Sequence, residues 1–233
     1  MIKNLTIKTT LFRIQGTLDH ILERGIIPLS FIKKFLPENP IIVEAGAHKG
    51  KDTLAISKTW PKGFVHAFEP VPDIYQTLLK ATKKRQNVAC YPIALSDKSG
   101  KAPIFISGGM SDASSSLLKP EEHMKIFPDV SFDTLIDVDT LTLDEWAQIY
   151  SIKKVDFLWL DLQGMELNVL KSGTDLLKNV RALYTEVSLV EAYKNAPLYP
   201  ELKQWLEKRG FKVQREEITG SMGNVLFIRQ NFD

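Results

Sequence analysis

Three consecutive pieces of sequence decide the architecture: Lys212-Val213-Gln214-Arg215-Glu216, then Thr219-Gly220-Ser221-Met222-Gly223, then Asn224-Val225-Leu226-Phe227-Ile228-Arg229. Two strand-like runs flank a glycine-bearing link too short for a helix, so the simplest reading is an antiparallel hairpin. Upstream the pattern differs. Short apolar runs alternate with helical segments, the mark of parallel βαβ units. A nicotinamide-binding doubly wound sheet would normally continue with parallel units to its end. The expectation is therefore a doubly wound, mostly parallel α/β sheet of seven strands with the last strand inserted antiparallel at one edge.

Working back from the hairpin, Tyr199 to Arg209 reads as a helix with Leu202, Trp205 and Leu206 on one face, and Gly210 stops it. Ala182 to Val187 reads as a strand with Glu186 near its end, and Val155 to Leu160 as a strongly apolar strand ending at Asp161, with a helix from Met165 to Lys171 after it. At the front, Ile41-Ile42-Val43 ends in Glu44 and a glycine-bearing turn. A helix over Asp52 to Lys58, a strand over Phe64 to Phe68, a helix over Asp73 to Lys84 and a third strand over Val88 to Ile93 follow. Residues 98–142 break the rhythm. Lys101 to Ser107 reads as an added strand, and Gly108 to Ser116 is flexible in composition, which suits a substrate-facing lid. Residues 1–40 read as a helical extension, since Leu11, Ile14, Leu18, Ile21 and Leu22 recur at helical spacing before Pro28, Pro37 and Pro40. That extension would cover an edge of the main domain, residues 41–233, or form a homo-oligomer contact.

Composition narrows the function classes. A net charge of +2 is too small for a dedicated nucleic-acid binder, and Lys83-Lys84-Arg85 reads as the solvated end of a helix. No apolar run is long enough for stable membrane insertion. The lone Cys90 has no partner for an internal disulfide. A cytoplasmic enzyme is the default expectation.

The strongest local motif is Val43-Glu44-Ala45-Gly46-Ala47-His48-Lys49-Gly50, directly after the first strand and before a helix. An open α/β sheet binds its ligands at such a place, outside the carboxyl ends of the strands. Gly46 and Gly50 let the backbone turn sharply and approach a ligand. The spacing fits neither a dinucleotide fingerprint nor a phosphate loop. An acid two positions before the first glycine would repel a pyrophosphate but suits the cationic amino group of S-adenosylmethionine. Glu69, in Phe68-Glu69-Pro70, ends the second strand nineteen residues after Gly50. An acid there can accept hydrogen bonds from both ribose hydroxyls.

Taken together, Glu44-Ala45-Gly46-Ala47, Phe68-Glu69-Pro70, Ala94-Leu95-Ser96-Asp97, Ser114-Ser115-Ser116-Leu117, Thr142-Leu143-Asp144 and the block Asp156 to Lys171 around Asp161-Leu162-Gln163-Gly164 resemble the FkbM-type methyltransferase family. The resemblance implies a Rossmann-like class I fold and methyl transfer from S-adenosylmethionine to an oxygen of a sugar or secondary metabolite. It implies a cofactor site at Glu44, Gly46, Ala47, His48, Gly50, Glu69, Pro70 and Asp161, with Ala94, Ser96 and Asp97 on the adenine side. His48 and Gln163 depart from the Asn and Glu more usual in the family.

Asp161 is the candidate general base, because it ends the central strand beside the expected donor methyl. Glu186 could share that work or bind the acceptor. His48 has a reference pKa suited to base catalysis, but hydrogen bonding within the turn is the plainer expectation. Asp161 and Glu186 could also hold a divalent ion, yet no convincing third ligand is present, so no metal is expected. His123 is expected at the surface or on the acceptor. Two other functions compete: a catalytically silent S-adenosylmethionine-binding or scaffold protein, and an NAD-dependent oxidoreductase sharing the fold.

Overall fold

A computed structural model describes residues 27–230. The predicted helix around Leu11 to Leu22, and the oligomer contact assigned to it, lie outside these described residues.

The strands are β1 (Ile41–Ala45), β2 (Phe64–Phe68), β3 (Val88–Tyr91), β4 (Ala94–Leu95), β5 (Gly100–Gly109), β6 (Val130–Leu141), β7 (Phe157–Leu160), β8 (Ala182–Ser188), β9 (Phe211–Thr219) and β10 (Met222–Arg229). Seven of them form one sheet in the order β3-β2-β1-β7-β8-β10-β9, parallel except where β10 runs antiparallel to both its neighbours. The hairpin is tighter than expected. Thr219 pairs with Met222, which leaves Gly220 and Ser221 as the turn, with Gly220 at φ +66°. The last strand is inserted antiparallel near one edge, as expected: β10 lies between β8 and the edge strand β9. Its buried Val225-Leu226-Phe227 run needs a neighbour on each side, whereas β9, with exposed Lys212 and Arg215-Glu216-Glu217 on or near its surface, tolerates the edge.

Helices cover both faces, so the central strands read as continuous apolar runs. Alternate residues sort to opposite faces. Val43, Ala45, Leu158 and Leu160 join a core with Leu143, Trp146, Leu167 and Leu170. Ile42, Phe157 and Trp159 join a second core with Ile56 and Trp60, and with Ile27 and Ile32 from the segment before β1. Residues Leu29–Ile32 form a short helix that continues as a 3₁₀ turn over Lys33–Phe35. Among the described residues no helix is long and apolar enough to cross a membrane.

The third strand stops early. β3 ends at Tyr91 because Pro92 has no N–H for the ladder, and Ala94–Leu95 join a second, three-stranded sheet in the order β4-β6-β5. The predicted strand over Lys101 to Ser107 is the centre of β5. Its partner β6 adds to the expected strands, and Ile136-Asp137-Val138-Asp139-Thr140 within it alternates apolar and polar residues as a strand with one exposed face should. This small sheet packs Ile104, Ile136 and Val138 onto Val71 and Ile74 at the start of the helix Pro72–Thr82. It thereby stands over the carboxyl ends of β1 and β2.

Candidate active site

The carboxyl ends of β1, β2, β7 and β8 lie side by side, because these strands are parallel neighbours in register: Ala45 pairs with Phe68 and with Leu160, and Leu160 with Thr185. Above these ends is a cavity of about 210 Å³. Its wall has two characters. Ile74, Ile93, Ala94, Leu95, Ile104 and Leu117 make an apolar side, while His48, Asp52, Glu69, Asp161 and Gln163 make a polar one.

The glycine turn shapes the floor. Gly46, His48 and Gly50 have φ of +87°, +48° and +84°, so three left-handed residues within five positions fold the chain back on itself. The Gly46 and Ala47 N–H groups donate to the Phe68 carbonyl at 3.1 and 2.9 Å. The turn is tied to the next strand end as well. Glu69 accepts from the His48 N–H at 3.0 Å and from the Val71 N–H at 2.8 Å. Burial pushes the Glu69 carboxyl up to about 7, against the lowering effect of those two N–H donors.

Glu44 behaves differently from expectation. It shares a face of β1 with Ile42, is 1% exposed, and lies beneath the turn rather than on the cavity wall. Its Oε2 is buried without a hydrogen-bond partner, and burial raises its pKa to about 8. The acid that does reach the cavity from this side is Asp52, in the first turn of the helix Lys51–Thr59. Its position two residues after Gly50 was the signal for it.

On the central strand, Asp161 follows β7 and its N–H donates to the Ala45 carbonyl at 3.0 Å. Gln163 and Gly164 are left-handed, with φ +51° and +99°, which turns the Gln163 side chain back toward the strand ends. Gln163 Nε2 lies 2.7 Å from Asp161 Oδ1 and 2.7 Å from Glu186 Oε2. Partial desolvation raises both acids, Asp161 although it is open to the cavity, and Glu186 well above its usual value because the Asp161 charge adds to its own desolvation. The structure thus brings Asp161 and Glu186 together through a residue noted from sequence only as a departure. Glu166 caps its own turn, accepting from the Leu162 N–H at 2.8 Å and from the Gly164 N–H at 3.1 Å.

Other predicted positions fall elsewhere. Pro70 and Ala94 line the cavity, but Ser96 and Asp97 do not. Ser96 is buried and ties the strand end to other backbone, its N–H donating to Leu141 and its carbonyl accepting from Ser172 Oγ at 2.9 Å. Asp97 is exposed and takes a hydrogen bond from Ser96 Oγ. The Asp-Lys-Ser-Gly turn that follows β4 pulls it away from the cavity. The His48 ring meets Asp112 of the insertion, Nε2 to Oδ1 at 3.0 Å, and Lys49 Nζ reaches the same carboxylate at 2.5 Å. His123 is neither at the surface nor on the cavity. It is 2% exposed and packed among Phe127, Phe132 and Tyr193, since the segment after Pro120 pairs with Ala192 and Tyr193 and folds it inward. Asp112, Ala113, Ser115, Ser116 and Leu117 line the cavity, so the segment read as a lid does lie across it.

A cavity lined by both apolar side chains and acids, with an orphaned buried carboxylate oxygen beneath it, fits a nucleoside that carries a cationic tail. At Gly46 the backbone passes so close to the Asp161 carbonyl that no side chain fits between the two strand ends. Fold and site together define a class I, S-adenosylmethionine-dependent methyltransferase. The FkbM methyltransferase domain matches residues 44–213, and the chain belongs to that family. The 2-O-methyltransferase NoeI of Sinorhizobium fredii is 30% identical over 161 residues, a match spanning 67% of this chain and 66% of that enzyme. The methyltransferase sdnD of Sordaria araneosa is 28% identical over 210 residues, covering 78% of this chain and 77% of that protein. Among solved structures, the fibrillarin pre-rRNA processing protein of Methanococcus jannaschii superposes with a TM-score of 0.51 at 18% identity, over 83% of this chain and 67% of its own. Aeropyrum pernix fibrillarin, solved with natively bound S-adenosyl-L-methionine, gives 0.50 at 14% identity over 91% and 74%. At these identities the two structures speak for the fold alone.

The buried acids make a stability prediction. Glu44, Glu69 and Glu166 hold protons more tightly folded than unfolded, up to about 8, 7 and 7 against an ordinary 4.5. A raised acid loses stability as pH climbs from its unfolded to its folded value. His66, lowered by burial to about 4 from 6.5, works in the opposite sense, but only below 6.5. Between pH 6.5 and 8 the acids act alone, so the melting temperature of the ligand-free protein is expected to fall across that window. A melting temperature that stays level or rises there contradicts the burial of these carboxylates.

Proposed function

We propose that the protein transfers a methyl group from S-adenosylmethionine to a hydroxyl oxygen of a small molecule, a sugar or a secondary metabolite. The observation that carries this reading is Asp161: a carboxylate at the end of the central strand, open to the cavity whose wall it forms and set against the backbone of Gly46. The cofactor, when bound, supplies an electrophilic methyl whose bonding electron pair stays on the departing sulfur. What remains for the protein is to bind, align, exclude water and take one proton.

Glu69 is placed to accept from a ribose diol, since each of its oxygens uses one lone pair on a backbone N–H and keeps another. The apolar side, with Ala94, Ile74 and Ile104, takes the adenine ring. Asp52 and Asp161, the acids that reach the cavity, supply the negative potential that a cationic amino acid end requires. The strap from Asp112 to Leu117 excludes water. Asp161 then accepts the hydroxyl proton as the acceptor oxygen bonds to the methyl carbon, and the proton ends on the Asp161 carboxyl.

The similarity to a 2-O-methyltransferase supports an oxygen as the methyl acceptor. A cytoplasmic location and the division into a helical extension over residues 1–40 and a catalytic domain over 41–233, with an insertion at about 98–142, belong to the same proposal.

The test has two parts. Calorimetry with S-adenosylhomocysteine and with NAD separates this reading from the oxidoreductase, which alone would bind the latter. Methyl transfer from labelled S-adenosylmethionine to a panel of glycan and small-molecule hydroxyls separates it from a silent binder. Glu69→Ala is expected to weaken S-adenosylhomocysteine binding by roughly ten- to a hundredfold, the loss of a charged acceptor shared by two hydroxyls. Unchanged affinity in that variant would place the ribose elsewhere.

A further inference from the structure

We infer that Gln163 is a positioning residue that keeps Asp161 and Glu186 as a pair holding one proton between them, and so leaves Asp161 ionised as the base. This rests on reading Asp161 as the base under the proposed function.

The geometry is specific. The amide nitrogen of Gln163 carries two N–H groups, and its two nearest acceptors are Asp161 Oδ1 and Glu186 Oε2, both at 2.7 Å. The rest of the side chain is held too. Gln163 Oε1 and the Ser114 carbonyl oxygen both lie 2.8 Å from the Tyr193 hydroxyl. The Gln163 carbonyl accepts from Ser116 Oγ at 2.8 Å, and its φ of +51° is a conformation that only such fixed surroundings sustain. Gln163 and Glu186 also line a second, smaller pocket of about 30 Å³, with Ser188, Tyr193, Tyr199 and Met222, so Gln163 borders both spaces.

The surroundings explain why an amide is needed. Facing the pair are Glu44 from β1, His48 from the glycine turn, Asp52 from the helix after it, Glu166 from the helix after β7, Tyr184 from β8 and Tyr193 from the loop after β8. Most of these are acids or neutral hydroxyls, and His48 is already engaged by Asp112. Two carboxylates held by one amide oppose each other's ionisation. Donors favour the charged form. Two N–H groups from one side chain offset part of that cost, and Glu186 as the acid supplies a further donor to Asp161. Of the two, Asp161 is the one open to the cavity and Glu186 the more enclosed, so the charge is placed on Asp161 and the proton on Glu186.

The test reads protonation directly and needs no methyl acceptor. Infrared difference spectra of the ligand-free protein across pH show protonated-carboxyl bands, and those that vanish in Asp161→Asn and Glu186→Gln belong to the pair. In Gln163→Met, which keeps the length and removes both donors, the titration of these bands is expected to move up by about one pH unit or more. Gln163→Glu keeps the size and the Tyr193 contact, adds a third acid, and is expected to move the bands the same way. It decides the matter alone if the Met variant does not fold. A midpoint that stays in place in a cooperatively melting variant overturns the inference. Methyl transfer by Asp161→Asn reports separately on the base, so the two readings fail by different signs.

Discussion

Asp161→Asn is expected to lower methyl transfer by about 10²–10⁴-fold while leaving S-adenosylhomocysteine binding within a few-fold of the parent protein. The substitution keeps the shape and can still accept from Gln163 Nε2, which lies 2.7 Å from Oδ1. What it removes is a group able to take the acceptor's proton. Stability gives a second check. Partial desolvation and the neighbouring Asp52 charge hold the Asp161 carboxyl above its ordinary range although it is open to the cavity, so a neutral amide in its place adds no cost of burying a charge. The variant should melt no lower than the parent at pH 8. Turnover at the parent rate, in a variant that binds the cofactor product normally, would take Asp161 out of the chemistry.

The second large effect comes from backbone, not from a charged group. Gly46→Ala is expected to abolish detectable S-adenosylhomocysteine binding and to destabilise the fold by roughly 2–5 kcal/mol. A Cβ at this position would stand 1.9 Å from the Asp161 carbonyl oxygen and 3.0 Å from its carbonyl carbon. Neither is the end of a flexible side chain, so the strands themselves must part. The φ of +87° adds strain of its own for any residue with a Cβ. Gly46 also donates to Phe68, while Asp161 donates to Ala45, so a shift here moves β1, β2 and β7 at the point where the cofactor crevice forms. Urea unfolding measures the first part and calorimetry the second. A variant with parental stability and affinity would mean that the close approach of Gly46 to Asp161 is not a constraint of the fold.

The two variants separate the roles of one small region. Asp161→Asn spares the scaffold and strikes the chemistry; Gly46→Ala strikes the scaffold that holds the crevice open. Both act within the contact between the end of β1 and the end of β7, which the sheet order places at its centre.

Much of this was legible in the chain before folding was considered. Periodicity placed β1, β2, β8 and the helices after the first two strands within a residue or two, since a buried parallel strand and an amphipathic helix each leave a local pattern. The glycine turn was legible because left-handed backbone asks for glycine, and the acids at the strand ends because the strands end there. Partner and direction were not. Nothing local says that β10 slips between β8 and β9, that Pro92 hands Ala94 and Leu95 to a second sheet, or that Glu44 sinks beneath the turn while Asp52 takes the cavity wall. Those outcomes depend on which faces find a partner once the strands are side by side. Gln163 makes the same point from one residue: its sequence position marks a strand end, but its work exists only because β8 brings Glu186, the loop after β8 brings Tyr193, and the insertion brings Ser114 and Ser116 to it. Sequence alone determined the class of fold and the residues at its strand tips, because hydrophobic period and turn chemistry are local. Which of those residues touch one another, and hence which carboxylate stays charged, was decided by tertiary packing, because burial and hydrogen bonding join positions far apart in the chain.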